Sequence, residues 1–264
     1  MGLHVFDMDG TLLKGTTASV QIARYLGCAE ELAVLEARFA AGELGTRGFA
    51  AAIHGLWRSL TRLAVAEVFG ACPWLDGIPE VCADIRERGE RSVVITMSPD
   101  FFARHLLELG FDEVVASRFP ALPFREPLDP GGILTPGDKV RIVDEVRARH
   151  GLPESRCVAY GDSMSDAPLF RRLAKTVAVN ADHHLAGLAA VSYCGDDLAG
   201  AYALGRILLA DSSRRLSRMR DVVHVVQRPV LHPDPRAVPG PTADARDGRR
   251  GNQPWSVITT PVSA

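Results

Sequence analysis

Five short runs rich in β-branched residues recur along the chain: Leu3 to Met8, Arg91 to Met97, Glu113 to Arg118, Arg156 to Tyr160 and Thr176 to Asn180. Each is followed by apolar residues at helical spacing. Strands alternating with helices specify a parallel sheet with crossover helices, because parallel neighbours cannot be joined by a tight turn. The expected fold is therefore α/β, a Rossmann-like three-layer core with helices on both faces of a parallel sheet. In open sheets of this kind ligands sit at the carboxyl ends of the strands, so the residues just after each run carry the functional information.

The first two runs are separated by a long stretch without strand signal, in which Ile22, Leu26, Leu32, Leu35, Phe39, Phe49, Ile53, Leu56 and Leu60 keep helical spacing. A connection this long forms a module of its own. Residues 16–74 are read as a small helical cap inserted after strand 1, and residues 1–15 and 75–210 as the catalytic core. From Asp211 the character changes: nine Arg face five Asp, and seven of the 17 prolines follow position 228. Residues 211–264 are expected to be a disordered or loosely attached tail.

With 264 residues and 47% apolar side chains, the chain can bury one sizeable core plus a smaller module. Its net charge of −2 carries no concentrated basic face, so neither nucleic acid nor a membrane surface is the expected partner. No apolar stretch is long enough to span a bilayer, and the start of the chain lacks the basic and apolar pattern of a signal peptide. The five cysteines, Cys28, Cys72, Cys82, Cys157 and Cys194, show no CxxC pair and no zinc spacing. They are expected to be reduced, mostly buried thiols of a cytoplasmic protein.

The strand ends are polar in a consistent way. Asp7 and Asp9 close the first run two residues apart, on one side of an extended chain, and Gly10 permits a tight turn. Two such acids repel each other unless a cation lies between them, and Mg²⁺ takes carboxylate and carbonyl oxygens readily. Alone, the pair is equally a polar turn. The second run ends in Thr96-Met97-Ser98-Pro99, where a hydroxyl and free amides suit an anionic oxygen; Ser98 also reads as an N-cap, with Pro99 opening the next helix. Lys139 stands in the first turns of a helix, where the dipole disfavours a cation unless an anion faces it. Gly161-Asp162-Ser163-Met164-Ser165-Asp166 closes a later strand with two acids four residues apart, able to face one metal.

Together, Asp7-Met8-Asp9-Gly10-Thr11, Thr96, Lys139 and the segment from Gly161 to Asp166 resemble the four ordered motifs of the haloacid dehalogenase superfamily of phosphatases. The nearest likeness is to its phosphoserine phosphatase-like branch, whose helical cap lies between the first two motifs. The resemblance implies a Mg²⁺-dependent hydrolase of a small-molecule phosphate ester. It makes Asp7 the nucleophile of an aspartyl-phosphate intermediate and Asp9 the general acid and base. It further implies that Thr96 and Lys139 hold the transferring phosphoryl group, and that Asp7, Asp9, Asp162 and Asp166 surround the metal, Asp9 through its main-chain carbonyl. Dehalogenase chemistry is disfavoured, since members of that kind lack the second acid. Passing the phosphoryl group to an alcohol instead of water, or an idle scaffold, are the alternatives.

Candidate substrate-binding residues at the strand ends are Gly10, Thr11, Met97 and Ser98; in the cap they are Thr16, Arg47 and Arg58, with His54 and Trp57 at compatible helical spacing. Phosphoserine phosphatases carry a Glu where this chain has Thr16, and an Arg in the region of Ala50, Ala51 and Ala52. Phosphoserine itself is therefore not the expected substrate.

Overall fold

The computed structural model describes residues 1–210; the expected tail, 211–264, lies outside the described residues. The elements run β1 (Leu3–Phe6), α1 (Ala18–Leu26), α2 (Ala29–Ala40), α3 (Thr46–Leu56), α4 (Arg62–Ala71), α5 (Ile78–Glu87), β2 (Arg91–Pro99), α6 (Asp100–Ala103), β3 (Glu113–Ser117), α7 (Pro136–Arg149), β4 (Cys157–Gly161), α8 (Ala167–Arg172), β5 (Thr176–Val179), β6 (Val191–Tyr193) and α9 (Leu198–Ala210). All strand pairs are parallel, and the sheet order is β3-β2-β1-β4-β5-β6. The chain builds outward from β1 to β3, then crosses to β4 and builds the other way. β1 is thus flanked by β2 and β4, and the reversal of winding opens a crevice at their carboxyl ends.

Side-chain alternation sorts the two cores. Leu3, Val5, Val93, Ile95, Cys157 and Ala159 pack with Ile142, Val143 and Val146 of α7 and Leu169 and Phe170 of α8. The intervening Phe6, Val94, Val158 and Tyr160 pack on the opposite face with Ile78, Val81 and Ile85 of α5 and Ala201, Leu208 and Leu209 of α9. The period of two places Asp7 in phase with Leu3 and Val5, on the face covered by α7. A lysine near the start of α7 can reach it.

Residues 16–74, where a cap is expected, contain four helices, α1 to α4. Thr17 caps α1, its hydroxyl accepting from the Val20 amide, and Thr61 caps α4 in the same way. The module returns to the core beside its point of departure, where Leu13 bridges Trp74 and the Leu75 amide donates to the Leu12 carbonyl. Cys72, Cys82 and Cys157 are buried thiols, Cys28 is half-buried and Cys194 exposed; none forms a disulfide. Among the described residues no helix is long and apolar enough to cross a membrane.

Two expectations are revised. Ser98 is no helix cap: β2 continues through Pro99, which itself precedes α6. A sixth strand, β6, lies at the sheet edge, too short to be read as a periodic run.

Beneath the sheet a buried polar group is fully partnered. His4 bonds Tyr160 Oη at 3.0 Å and Glu90 Oε2 at 3.1 Å, and Arg206 also pairs with Glu90. Burial pushes His4 below its ordinary value. Burial alone would raise Glu90, but the hydrogen bonds from His4 and Arg206 outweigh it and hold the carboxyl down at about 2. A depressed carboxyl contributes stability above its unfolded value near 4.5 and loses it as pH falls toward the folded value. Glu90→Gln is therefore expected to cost about 2–3 kcal/mol at pH 7. Urea unfolding from pH 7 down to 4 should show the difference from wild type beginning to narrow below about pH 5.

Candidate active site

Asp7 follows β1 directly, and its amide donates to the Tyr160 carbonyl at 3.0 Å, tying the end of β1 to β4. The side chain is 6% exposed. Lys139 Nζ donates to Asp7 Oδ1 at 2.6 Å, to Asp166 Oδ1 at 2.7 Å and to Ser165 Oγ at 3.3 Å, so all three ammonium hydrogens have acceptors. α7 begins with the Thr135–Asp138 capping box, which sets the helix so that Lys139 points to the sheet edge. Lys139 is 1% exposed. Burial by itself would lower its pKa, but the charges of Asp166 and Asp7 outweigh burial and raise it. Oδ2 of Asp7 has no hydrogen-bond donor among the described residues, and Asp7 lines a cavity of about 940 Å³.

Asp9 is held differently. Its Oδ1 accepts from the Ala18 amide, the first of α1, at 2.6 Å; its Oδ2 accepts from Ser98 Oγ at 2.6 Å and Thr96 Oγ1 at 3.3 Å. The carboxylate thus joins β2 to the first turn of the cap. Burial raises its pKa despite these donors. Thr96 Oγ1 in turn accepts from the Ser98 amide at 3.1 Å.

Asp166 does two things at once. Its Oδ1 accepts from Lys139, while Oδ2 accepts from the Asp162 and Ser163 amides at 3.0 and 3.4 Å, forming a capping box with Ser163. Asp162 accepts from Thr11 Oγ1 at 3.1 Å, and its carbonyl accepts from the Asp182 amide at 2.9 Å. Gly10 has φ +79°, and a Cβ there would overlap the Asp162 carboxylate, so only glycine permits this approach of β1 and β4.

One oxygen from each of Asp7, Asp162 and Asp166 lies within 4.8 Å of the others. Burial raises Asp7 well above the ordinary carboxylate range, and the Asp166 charge adds to it; Lys139 opposes this only in part. Burial and Asp166 likewise push Asp162 up to about 7. One ammonium does not neutralise this set, and all the donors are hard oxygens. The residues present therefore fit a small divalent cation such as Mg²⁺.

The cavity brings together Asp7, Asp9, Gly10, Thr16, Thr96, Met97, Ser98 and Asp162. Thr11 is buried behind it, acting on Asp162. Thr16 lines the wall, its hydroxyl accepting from Gln21 Nε2 at 2.9 Å. Arg47 and Arg58 are exposed and do not line the cavity; His54 packs on Phe124 and Trp57 is fully buried. Ala50 lines the wall without offering a charge. The charged cap residues that do line it are Arg24 of α1 and Glu36 of α2. A signal for Glu36 was present: it interrupts the apolar stripe of Leu32, Leu35 and Phe39 on one helix.

A model of the haloacid dehalogenase-like hydrolases matches residues 4–171. A phosphoserine phosphatase of Archaeoglobus fulgidus is 26% identical over 200 residues, covering 75% of this chain; the match spans 58% of that protein, less than two thirds of its length. A phosphoserine phosphatase of Halobacterium salinarum is 28% identical over 211 residues, covering 79% of this chain and 97% of that protein. Among solved structures, a substrate-bound phosphoserine phosphatase superposes with a TM-score of 0.64 at 22% identity, covering 75% of this chain and 95% of the other. At that identity the likeness speaks for the fold.

Proposed function

Since this chain belongs to the haloacid dehalogenase-like hydrolase family, we propose that it hydrolyses a small-molecule phosphomonoester in two steps, with Asp7 as nucleophile and Asp9 as general acid and base. The observation that carries this reading is the convergence of the ends of β1 and β4 and the start of α7 on one carboxylate. Asp7 is fixed through Oδ1 by Lys139, which is fixed by Asp166, while its Oδ2 remains without a donor.

In the first step Asp7 Oδ2 attacks phosphorus, the bond from phosphorus to the ester oxygen breaks, and the leaving oxygen takes a proton from Asp9. The product is an acyl phosphate on Asp7 and a free alcohol. Burial, by raising the Asp9 pKa, favours the protonated form this step needs. In the second step water attacks phosphorus, Asp9 takes its proton, and the bond to Asp7 Oδ2 breaks to release inorganic phosphate. Lys139 holds positive charge beside the transferring oxygens, where phosphoryl transfer gains most of its acceleration. Asp7, Asp162 and Asp166 would hold Mg²⁺, with the Asp9 main-chain carbonyl as a further ligand; when bound, the ion neutralises charge on the phosphoryl oxygens.

The test is release of inorganic phosphate from an aryl phosphate by the purified full-length chain, with no alcohol acceptor present. Turnover in Mg²⁺ is expected, with a loss of at least about 100-fold on chelation and recovery on adding the ion back. Phosphate release that needs an alcohol acceptor would mark a transferase instead. Turnover indifferent to chelation would exclude the metal-assisted reading.

A further inference from the structure

The cavity is larger and more apolar than a phosphate group and a short polar body require. Its 940 Å³ lies toward the upper end of the range of about 300–1,000 Å³ typical of small-molecule sites. Beyond the catalytic centre its walls are formed by Val20, Phe39, Phe49 and Ile53 of the cap and Phe119 and Ile133 of the core. Such walls favour an alcohol with an apolar body.

The charges around that apolar volume are not equivalent. Lys14 is paired with Asp196, and His184 with Asp182. The side chains of Arg24 and Glu36 have neither an ion pair nor a hydrogen-bond partner among the described residues, but they differ in exposure. Arg24 is open to solvent, where an unpaired guanidinium costs little. Glu36 is half-buried, and burial pushes its carboxyl above the ordinary range. An acid withdrawn from water beside an apolar wall, with no cation to meet it, is costly unless a ligand supplies one.

We propose that the cavity selects phosphomonoesters whose alcohol carries a cationic amine at the end of an apolar body, with Glu36 as the residue that holds the amine. This rests on the hydrolase reading above and adds the substrate class to it. A carboxylate in the same place would meet Glu36 with like charge, so acidic esters are discriminated against.

The experiment compares kcat/KM of the full-length chain, in Mg²⁺, for three matched esters: a neutral aryl phosphate, the same ring bearing an aminoethyl arm, and the same ring bearing a carboxyethyl arm. The expected order is amine, neutral, carboxylate, with about tenfold or more between the first two, as for one charge-assisted contact in a sheltered site. Glu36→Gln should bring the amine-to-neutral ratio close to one, and Glu36→Lys should invert it in favour of the carboxylate. Circular dichroism and melting temperature of both variants check that they fold. Equal turnover of all three esters by wild type, or a ratio that survives both substitutions in folded protein, overturns the assignment of Glu36 and leaves the hydrolase reading intact. An equal fall for all three esters in folded variants also overturns it, since that marks a structural role. Failure to release phosphate from any of the three overturns the hydrolase reading, and the proposal with it.

Discussion

Asp7→Asn is expected to lower hydrolysis of an aryl phosphate by on the order of 10⁴-fold or more while leaving the fold intact. The amide has the shape of the carboxylate and its oxygen still accepts from Lys139 Nζ, now 2.6 Å from Asp7 Oδ1. What disappears is the anionic oxygen that attacks phosphorus, and no neighbour can substitute: the Asp9 carboxylate is occupied by Ala18, Ser98 and Thr96, and Asp166 by Lys139 and two amides. Stability should move the other way. Burial and the Asp166 charge raise Asp7 in the folded protein, so its ionised form is disfavoured there. A carboxyl raised on folding contributes most when protonated, below its unfolded value, and that contribution is lost as pH rises. In metal-free buffer at pH 7 the neutral Asn variant should therefore melt at the same temperature as wild type or higher, with any gain vanishing below about pH 4. Retained turnover, or a variant that fails to fold, would contradict the roles given to Asp7 and Lys139.

Lys139→Met is expected to be damaging in both respects. Burial opposes the charge on this lysine, yet Asp166 and Asp7 outweigh burial and raise its pKa, so the ammonium is net stabilising throughout the neutral range and would cease to be only at strongly alkaline pH. Methionine fills the volume but leaves two buried carboxylates, at 2.6 and 2.7 Å from the present ammonium, without their cation. Breaking a buried pair from one side costs about 3–5 kcal/mol. In a domain of this size that is a fall in melting temperature of roughly 10 °C. Activity should fall by about 10³-fold, since both the orientation of Asp7 and a positive charge beside the phosphoryl oxygens are lost. Adding Asp166→Asn to Lys139→Met should recover part of the stability and none of the activity. Recovery of both would show that Lys139 serves only to neutralise Asp166.

The parts of the site that were legible share a physical origin. Asp7 with Asp9, and Asp162 with Asp166, are pairs of acids at strand ends, a pattern that points to a cation, although in the structure only Asp7, Asp162 and Asp166 cluster and the Asp9 carboxylate is met by Ala18, Ser98 and Thr96. Lys139, against the dipole of its own helix, carries the same message. These are local contradictions that a sequence displays. The cap was legible as helices but not as a binding wall. Arg47 and Arg58 have helical spacing, yet they face solvent, whereas Glu36 on the preceding helix lines the cavity. Ser98, read as a helix cap, spends its hydroxyl on Asp9, a residue 89 positions away.

From the sequence by itself come the parallel α/β core, the inserted helical module and the acids at its strand ends, because periodicity and short-range charge repulsion are properties of neighbouring residues. Only the tertiary structure decided that β1 lies between β2 and β4, that Asp9 is shared by the first turn of the cap and the end of β2, and that Glu36 meets the cavity unpaired. Spacing along a helix defines a face, but which way that face turns is settled by what it packs against. Strand order, likewise, follows from contacts between residues far apart in the chain.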